Sequence, residues 1–381
     1  MKKTRYISVF CIFLAVFSYL GAYGSFAAFS APGVSAQSAV LLECETGEIY
    51  FSKNADERLP MASTTKIMTA LVALENSDLR DTVIIDRRAV GVEGSSIYLC
   101  EGELLTMENL IYALLLASAN DAAAAIAYEI SGSIEDFASL MNEKAAELGL
   151  GDTHFENPHG LDCEDHYTTA SDLARLASEA LKNEDFRRIA STYKTTIPMN
   201  GGTRVLINHN KMLRSYDGAI GVKTGFTKRS GRCLVSAAER DGLTLVAVTI
   251  NAPSDWKDHT AMLDAGFAAY KRITPLKEGS YTLSLPVIGG TESTVLCANV
   301  SDISAILPTD VKSEEIRLVT ECPQFLYAPV ENGERIGKVI CYAGDEVIGE
   351  SDLNACYSAQ LRAPKKNLWQ RIISFFAELF S

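Results

Sequence analysis

Strand-like runs stand at both ends of one long helical stretch, and this arrangement restricts the possible folds more than any other feature of the 381-residue chain. Ser38-Ala39-Val40-Leu41-Leu42 and Glu48-Ile49-Tyr50-Phe51 come early, and Cys233–Ala238 and Leu243–Ile250 come late. The last run is nearly all apolar or β-branched, which places it centrally in a sheet. Between them lie helical segments near 64–76, 107–117, 121–131, 135–148 and 170–182, and a helix from about Asp255 to Ile273 closes the region. A sheet that uses both ends of the region and carries helices between them is an α/β arrangement with one all-helical insertion.

Polar side chains interrupt these apolar segments at three places. In Pro60-Met61-Ala62-Ser63-Thr64-Thr65-Lys66, Ser63 and Lys66 are three residues apart, close to one helical turn, so hydroxyl and amine project from the same face. A serine hydroxyl is a weak nucleophile until an adjacent base takes its proton, and Lys66 is placed to be that base. Alone, this spacing is commonplace and reads far more often as a helix cap followed by a solvated lysine. The second interruption is Ser118-Ala119-Asn120, between Leu110–Ala117 and the alanine-rich run from Ala122. Polar groups between two apolar segments cost free energy unless something bonds them, so they line a cavity or cap a helix junction. The third is Lys223-Thr224-Gly225, just before the late strands, where Gly225 lets a ligand or another backbone approach a strand edge and Lys223 offers a cation to an anion, although an isolated match of this kind is more often a surface lysine near a turn.

In the order S-x-x-K, S-x-N, K-T-G, the three motifs resemble the signature of penicillin-binding proteins and serine β-lactamases. Met61–Leu71, Asn157-Pro158-His159-Gly160-Leu161-Asp162, Tyr167-Thr168-Thr169-Ala170, Asn208-His209-Asn210 and Thr46-Gly47-Glu48 are closer still to the low-molecular-mass D-alanyl-D-alanine carboxypeptidases. The resemblance implies the penicillin-recognising, β-lactamase-like fold and a serine-type carboxypeptidase that removes the terminal D-alanine from peptidoglycan stem peptides. It implies Ser63 as the acyl-ester nucleophile, Lys66 as general base and Ser118 as proton relay. Asn120, Lys223, Thr224 and Gly225 would bind substrate, and the backbone N–H groups of Ser63 and Phe226 would form the oxyanion hole. β-Lactams would inhibit by imitating the D-Ala-D-Ala end, and no cofactor or metal is implied. The Asn157–Leu161 segment resembles a loop near the site, which gives His159 a structural role. A β-lactamase would need rapid hydrolysis of its acyl-enzyme, and no E-x-x-L-N segment follows Ser118. A β-lactam sensor acylated without turnover, and an endopeptidase acting on cross-links, are the remaining alternatives.

Residues 1–36 carry Lys2, Lys3 and Arg5, then the apolar run Ile7–Leu20, then small residues ending in Val34-Ser35-Ala36. This reads as a secretory signal peptide cleaved after Ala36, with an earlier site at Ser25-Phe26-Ala27, and it directs the chain to the outer face of the cytoplasmic membrane. Its removal deletes three positive charges and no acidic residue, so the net charge of −13 becomes −16. Such an acidic chain repels nucleic acid. Eight cysteines remain, irregularly spaced and without a C-x-x-C pair, so several read as small buried hydrophobes and none as a zinc or iron ligand set.

The catalytic domain is expected over 37–275, with Thr274–Gly279 as linker. Short alternating runs broken by Gly289-Gly290, Gly333 and Gly344 read as a small all-β sandwich over 280–361. The last stretch, 364–381, is amphipathic at ~100° per residue. Leu368, Trp369, Ile372, Ile373, Phe375, Phe376, Leu379 and Phe380 fall on one side, and Gln370, Arg371, Ser374 and Glu378 on the other. With Lys365 and Lys366 at its start, this helix suits the surface of an anionic membrane, the alternative being packing on its own domain.

Overall fold

A computed structural model describes residues 31–363 together with Trp369, Ile372 and Ile373. The proposed signal run and most of the amphipathic tail therefore lie outside the described residues. The chain divides into two compact units, the first ending at Tyr270 and the second beginning at Lys271.

The first unit is built on a five-stranded sheet in the order Ile49–Lys53, Ser38–Glu43, Leu243–Ile250, Gly231–Arg240, Ala219–Thr227. Every neighbouring pair is antiparallel, and Ser38–Glu43 pairs with Leu243–Ile250 from Ser38↔Ile250 to Glu43↔Leu245. The early and late strands thus share one sheet, with Leu243–Ile250 in the middle. Five longer helices, Lys66–Asn76, Met107–Leu116, Asn120–Ser131, Ile134–Glu147 and Ala170–Lys182, follow the expected segments to within a residue or two. Side-chain caps begin three of them: Thr106 accepts from Asn109 N (3.2 Å), Ser133 from Asp136 N (3.0 Å) and Thr169 from Asp172 N (3.0 Å). Each satisfies an orphan donor worth about 1 kcal/mol. The Lys66–Asn76 helix runs through the core, burying Ile67, Met68, Ala70, Leu71, Val72 and Ala73. Its first turn is where polar groups enter the interior.

Three elements of this unit carry no strong sequence period: the short helix Glu184–Ala190 and the hairpins pairing Thr82–Ile84 with Leu104–Thr106 and Lys194–Met199 with Gly202–Ile207. Between the two hairpins, Arg204 pairs with Glu103, whose carboxylate is buried, and donates to the carbonyls of Ile97 (2.9 Å) and Tyr98 (3.2 Å). Arg204→Ala leaves that carboxylate buried without its partner and is expected to cost roughly 3 kcal/mol, read as a lower urea midpoint at unchanged m-value.

Ser35 and Ala36 belong to the folded unit. Ser35 N and Oγ donate to Asp258 (3.0 and 2.7 Å), as does Ala36 N (3.2 Å). The closing helix, Asp255–Ala269, is shorter than expected. Tyr270–Leu276 is a strand paired with Ile303–Pro308, so the expected helix to Ile273 and the start of the expected linker are sheet instead. The aromatic and β-branched residues Tyr270, Ile273 and Thr274 suit a pleated strand better than another helical turn.

The second unit adds a six-stranded sheet, in the order Ile316–Glu321, Arg335–Ala343, Glu346–Ala355, Thr294–Asn299, Thr282–Ile288, Leu326–Tyr327. Two small apolar clusters fill the sandwich, one around Val295 and Cys297, the other around Val339, Cys341 and Leu353. The eight cysteines of the described residues are free thiols, with Cys233, Cys297 and Cys341 buried.

Candidate active site

The nucleophile turn is a 3-10 turn, Ala62–Thr65, running into the Lys66–Asn76 helix. Ala62 is left-handed (φ 48°), an uncommon conformation for a residue with a Cβ. It is braced from one side. Glu156 N donates to His166 Nδ1 (3.0 Å), which leaves the ring proton on Nε2; Nε2–H faces Thr65 Oγ1 (2.8 Å), and Thr65 Oγ1 donates to Ala62 O (2.8 Å). Gly160 packs against the same turn: with φ at 84°, a Cβ there would stand 1.9 Å from Ala62 O.

Lys66 is fully buried, and its Nζ lies 3.0 Å from Ser63 Oγ, 2.7 Å from Asn120 Oδ1 and 2.5 Å from His159 O. Two of these three neighbours can only accept. A neutral amine has two N–H groups for them and one lone pair left, and the Ser63 hydroxyl is the group able to donate to it. Electrostatics favour the same state. Burial, followed by the nearby Lys223, holds the Lys66 pKa well below that of an ordinary lysine, while Asp121 opposes the shift. Lys223 is buried as well, and burial brings it down to about 7. Its Nζ donates to Thr224 O (2.9 Å), its one partner among the described residues, leaving donors for a ligand. Burial favours the neutral amine at both lysines, and at Lys66 the neighbouring Lys223 adds to that push.

Asn120 begins its helix just after Ser118, which sits at the junction in a left-handed conformation (φ 58°) and is nearly buried. The Asn120 amide is fixed by donating to Glu93 O (2.5 Å), which aims its oxygen at Lys66. Its backbone N donates to Ser95 O (2.7 Å). Asp121 anchors the same loop, accepting from Ser96 Oγ (2.6 Å), Ile97 N (3.2 Å) and Leu99 N (3.0 Å). On the far side Gly225 belongs to the Ala219–Thr227 edge strand. A Cβ there would stand 3.0 Å from Ser63 N and 3.2 Å from Met61 O, so this strand passes directly against the nucleophile turn.

Ser63, Lys66, Asn120, Lys223 and Gly225 are thus brought together. Thr224 follows Lys223 on the strand and supplies its carbonyl. Phe226 lies beyond Gly225 on the same strand and is 67% exposed. Ser118 reaches the cluster through the turn it shares with Asn120; among the described residues it is hydrogen-bonded to neither Ser63 nor Lys66.

The His159 ring is pushed down to about 3 by burial and then by Lys66, and its Nδ1 accepts from Leu161 N (3.3 Å). Its role toward Lys66 is through the main-chain carbonyl, a contribution that any residue type supplies and that sequence cannot display. The same holds for Glu93 O. His166 and Asp121 escaped notice because nothing in their immediate sequence separates a bracing residue from an ordinary one. His209 lies near Lys223, whose charge adds to burial in lowering its pKa.

Residues 26–254 match the family described as D-alanyl-D-alanine carboxypeptidase, and residues 270–359 match the penicillin-binding protein 5 C-terminal domain. The D-alanyl-D-alanine carboxypeptidase DacF of Bacillus subtilis is 34% identical over 329 residues, covering 84% of this chain and 85% of that protein. DacA of Escherichia coli K12 is 28% identical over 371 residues, covering 92% and 89%. Among solved structures, penicillin-binding protein 5 from Haemophilus influenzae superposes with a TM-score of 0.66 at 27% identity, covering 87% of this chain and 99% of that one. The Streptomyces K15 DD-transpeptidase gives 0.60 at 35% identity, covering 63% and 99%.

Proposed function

The chain belongs to the D-alanyl-D-alanine carboxypeptidase family, and from that premise we propose that it removes the C-terminal D-alanine of peptidoglycan stem peptides through an acyl-enzyme on Ser63. The observation that carries this reading is the placement of Lys66 Nζ 3.0 Å from Ser63 Oγ, with its two other neighbours, Asn120 Oδ1 and His159 O, able only to accept.

In the proposed reaction Lys66 takes the Ser63 proton as Oγ attacks the carbonyl between the two D-alanines. Backbone N–H groups of Ser63 and Phe226 hold the oxyanion; the close pass of Gly225 over Ser63 N supports this pairing, and each donor is typically worth ~3 kcal/mol. The C–N bond then breaks, Ser118 relays a proton to the departing amine, and D-alanine leaves. Water deprotonated at Lys66 hydrolyses the ester and returns the proton to Ser63. Lys223, with Thr224, holds the free carboxylate of the terminal residue, and Asn120 holds the substrate amide while orienting Lys66. A bound carboxylate raises the Lys223 pKa and so secures its charge. β-Lactams acylate Ser63 by the same route. Among the described residues no carboxylate is hydrogen-bonded to Ser63 or Lys66, which supports a slowly hydrolysed penicillin ester and disfavours a β-lactamase.

The proposal includes export by the N-terminal segment, a sandwich unit that serves as a stand, and the 364–381 helix lying in the membrane surface. Cleavage after Ala27 retains the Ser35 and Ala36 contacts to Asp258 in the mature chain, whereas cleavage after Ala36 removes them.

The test compares cleavage of the D-Ala-D-Ala bond in a diacetyl-Lys-D-Ala-D-Ala peptide, read as released D-alanine, with cleavage in its C-terminal amide, read as released D-alaninamide. Release from the free acid alone is expected, and equal release from both overturns the carboxylate assignment. Lys223→Ala should lower kcat/KM on the free acid by about 100-fold or more, the loss of one buried charge-assisted contact.

A further inference from the structure

The second unit carries an apolar surface that its fold does not use. Thr282–Ile288 and Leu326–Tyr327 run parallel with Val287↔Leu326 and Ile288↔Tyr327 in register. Val287 and Leu326 point into the core, so their neighbours Ile288 and Tyr327 share the opposite, outer face. Phe325 joins them, its ring edge-to-face with Tyr327 at 5.4 Å between centroids. Leu361 reaches the same edge: it bridges to Gly290, its Cδ1 lies 3.9 Å from where a Gly289 Cβ would stand, and Arg362 N donates to Gly289 O (2.8 Å). Tyr327 is 68% exposed and Leu361 63%. Four large apolar side chains are therefore exposed along this edge, with Ile288 and Tyr327 set on the outer face by strand register.

Its position in the chain indicates what covers it. Leu361 is three residues before Pro364, where the amphipathic stretch begins, and the sequence that follows Leu361 carries three cations, Arg362, Lys365 and Lys366. Of the stretch beyond it, Trp369, Ile372 and Ile373 are described, and all three are helical and exposed, Trp369 at 74%. The outward residues of the second unit and the exposed Trp369, Ile372 and Ile373 are thus linked in sequence through Lys365 and Lys366. An aromatic-rich patch followed in sequence by cations suits the boundary between headgroups and acyl chains of an anionic bilayer.

We propose that Ile288, Phe325, Tyr327 and Leu361 form a second membrane contact, entering the surface of an anionic phospholipid bilayer beside the C-terminal helix. This rests on the reading of 364–381 as a membrane-surface helix. Two attachments close together in the chain act at high local concentration, so each strengthens the other.

The test uses the full mature chain carrying Tyr327→Trp and Trp369→Phe, with Trp256 as constant background, on phosphatidylglycerol–phosphatidylcholine vesicles whose acyl chains are brominated. The new tryptophan is expected to be quenched and blue-shifted on binding. Phe325→Ser with Tyr327→Ser should weaken vesicle binding by roughly tenfold or more while leaving D-alanine release unchanged. Vesicle binding with Trp369 of the parent chain quenched but the tryptophan at 327 unaffected overturns the second contact and spares the helix reading. Emission at 327 already blue-shifted without vesicles, and unquenched with them, means that the tail or a second copy covers the patch, and also overturns it. A parent chain that does not bind vesicles overturns both readings.

Discussion

Replacing Lys66 with arginine lowers the rate of acylation by penicillin, and of D-alanine release, by about four orders of magnitude. Arginine stays protonated throughout the accessible pH range and cannot present a lone pair to the Ser63 hydroxyl. It also brings a permanent charge into a fully buried position near Lys223, so part of any loss could reflect the fold. Lys66→Met separates the two effects. The methionine is uncharged and of similar length, so it buries no added charge and should keep a higher thermal midpoint than the arginine variant while losing as much activity. Stopped-flow acylation beside calorimetry measures both. An active Lys66→Met protein would remove Lys66 from the chemistry.

Ser63→Ala abolishes the penicillin adduct altogether and leaves D-alanine release lower by about 10⁴-fold or more. The expected structural cost is small. Among the described residues Ser63 Oγ has Lys66 as its one side-chain partner, and the turn that carries it is held by Thr64, Thr65 and His166 rather than by the hydroxyl. Unfolding free energy should therefore change by about 1 kcal/mol or less. Intact mass after penicillin treatment reports the adduct, and peptide mapping of the parent protein should place it on the segment containing Ser63. An adduct that survives in Ser63→Ala would move the nucleophile elsewhere.

What the sequence made legible follows from what side chains display. The Leu243–Ile250 run is apolar on both faces, and it is the middle strand of the sheet; the alternation and caps around Met107–Leu116 and Ala170–Lys182 mark real helices. Ser63, Lys66 and Asn120 stood out because polar groups inside apolar segments need partners, and these three are one another's partners. Tyr270–Leu276 was hidden because its role depends on Ile303–Pro308, a pairing decided at long range. The two hairpins of the insertion are short enough that tertiary contacts, such as Arg204 with Glu103, outweigh local pattern. Backbone acceptors were invisible for a different reason. His159 O and Glu93 O decide how Lys66 and Asn120 point, yet a carbonyl leaves no mark on residue identity.

The neutrality of Lys66 is tested most directly by the pH dependence of penicillin acylation, measured as a second-order rate from pH 6 to 10 in the parent protein and in Lys223→Arg. This quantity reports ionisations of the free enzyme. The proposed mechanism has Lys66 uncharged at pH 7, a state that its lowered pKa favours, so raising the pH should add no further base. In the parent the rate should then fall above neutrality as Lys223, with its pKa near 7, loses the charge that receives the ligand carboxylate. In Lys223→Arg that cation persists and the profile should be flat from pH 7 to 10. A rate that instead climbs about tenfold per pH unit toward the ordinary lysine range would mean that Lys66 is charged at neutral pH, and would contradict the account.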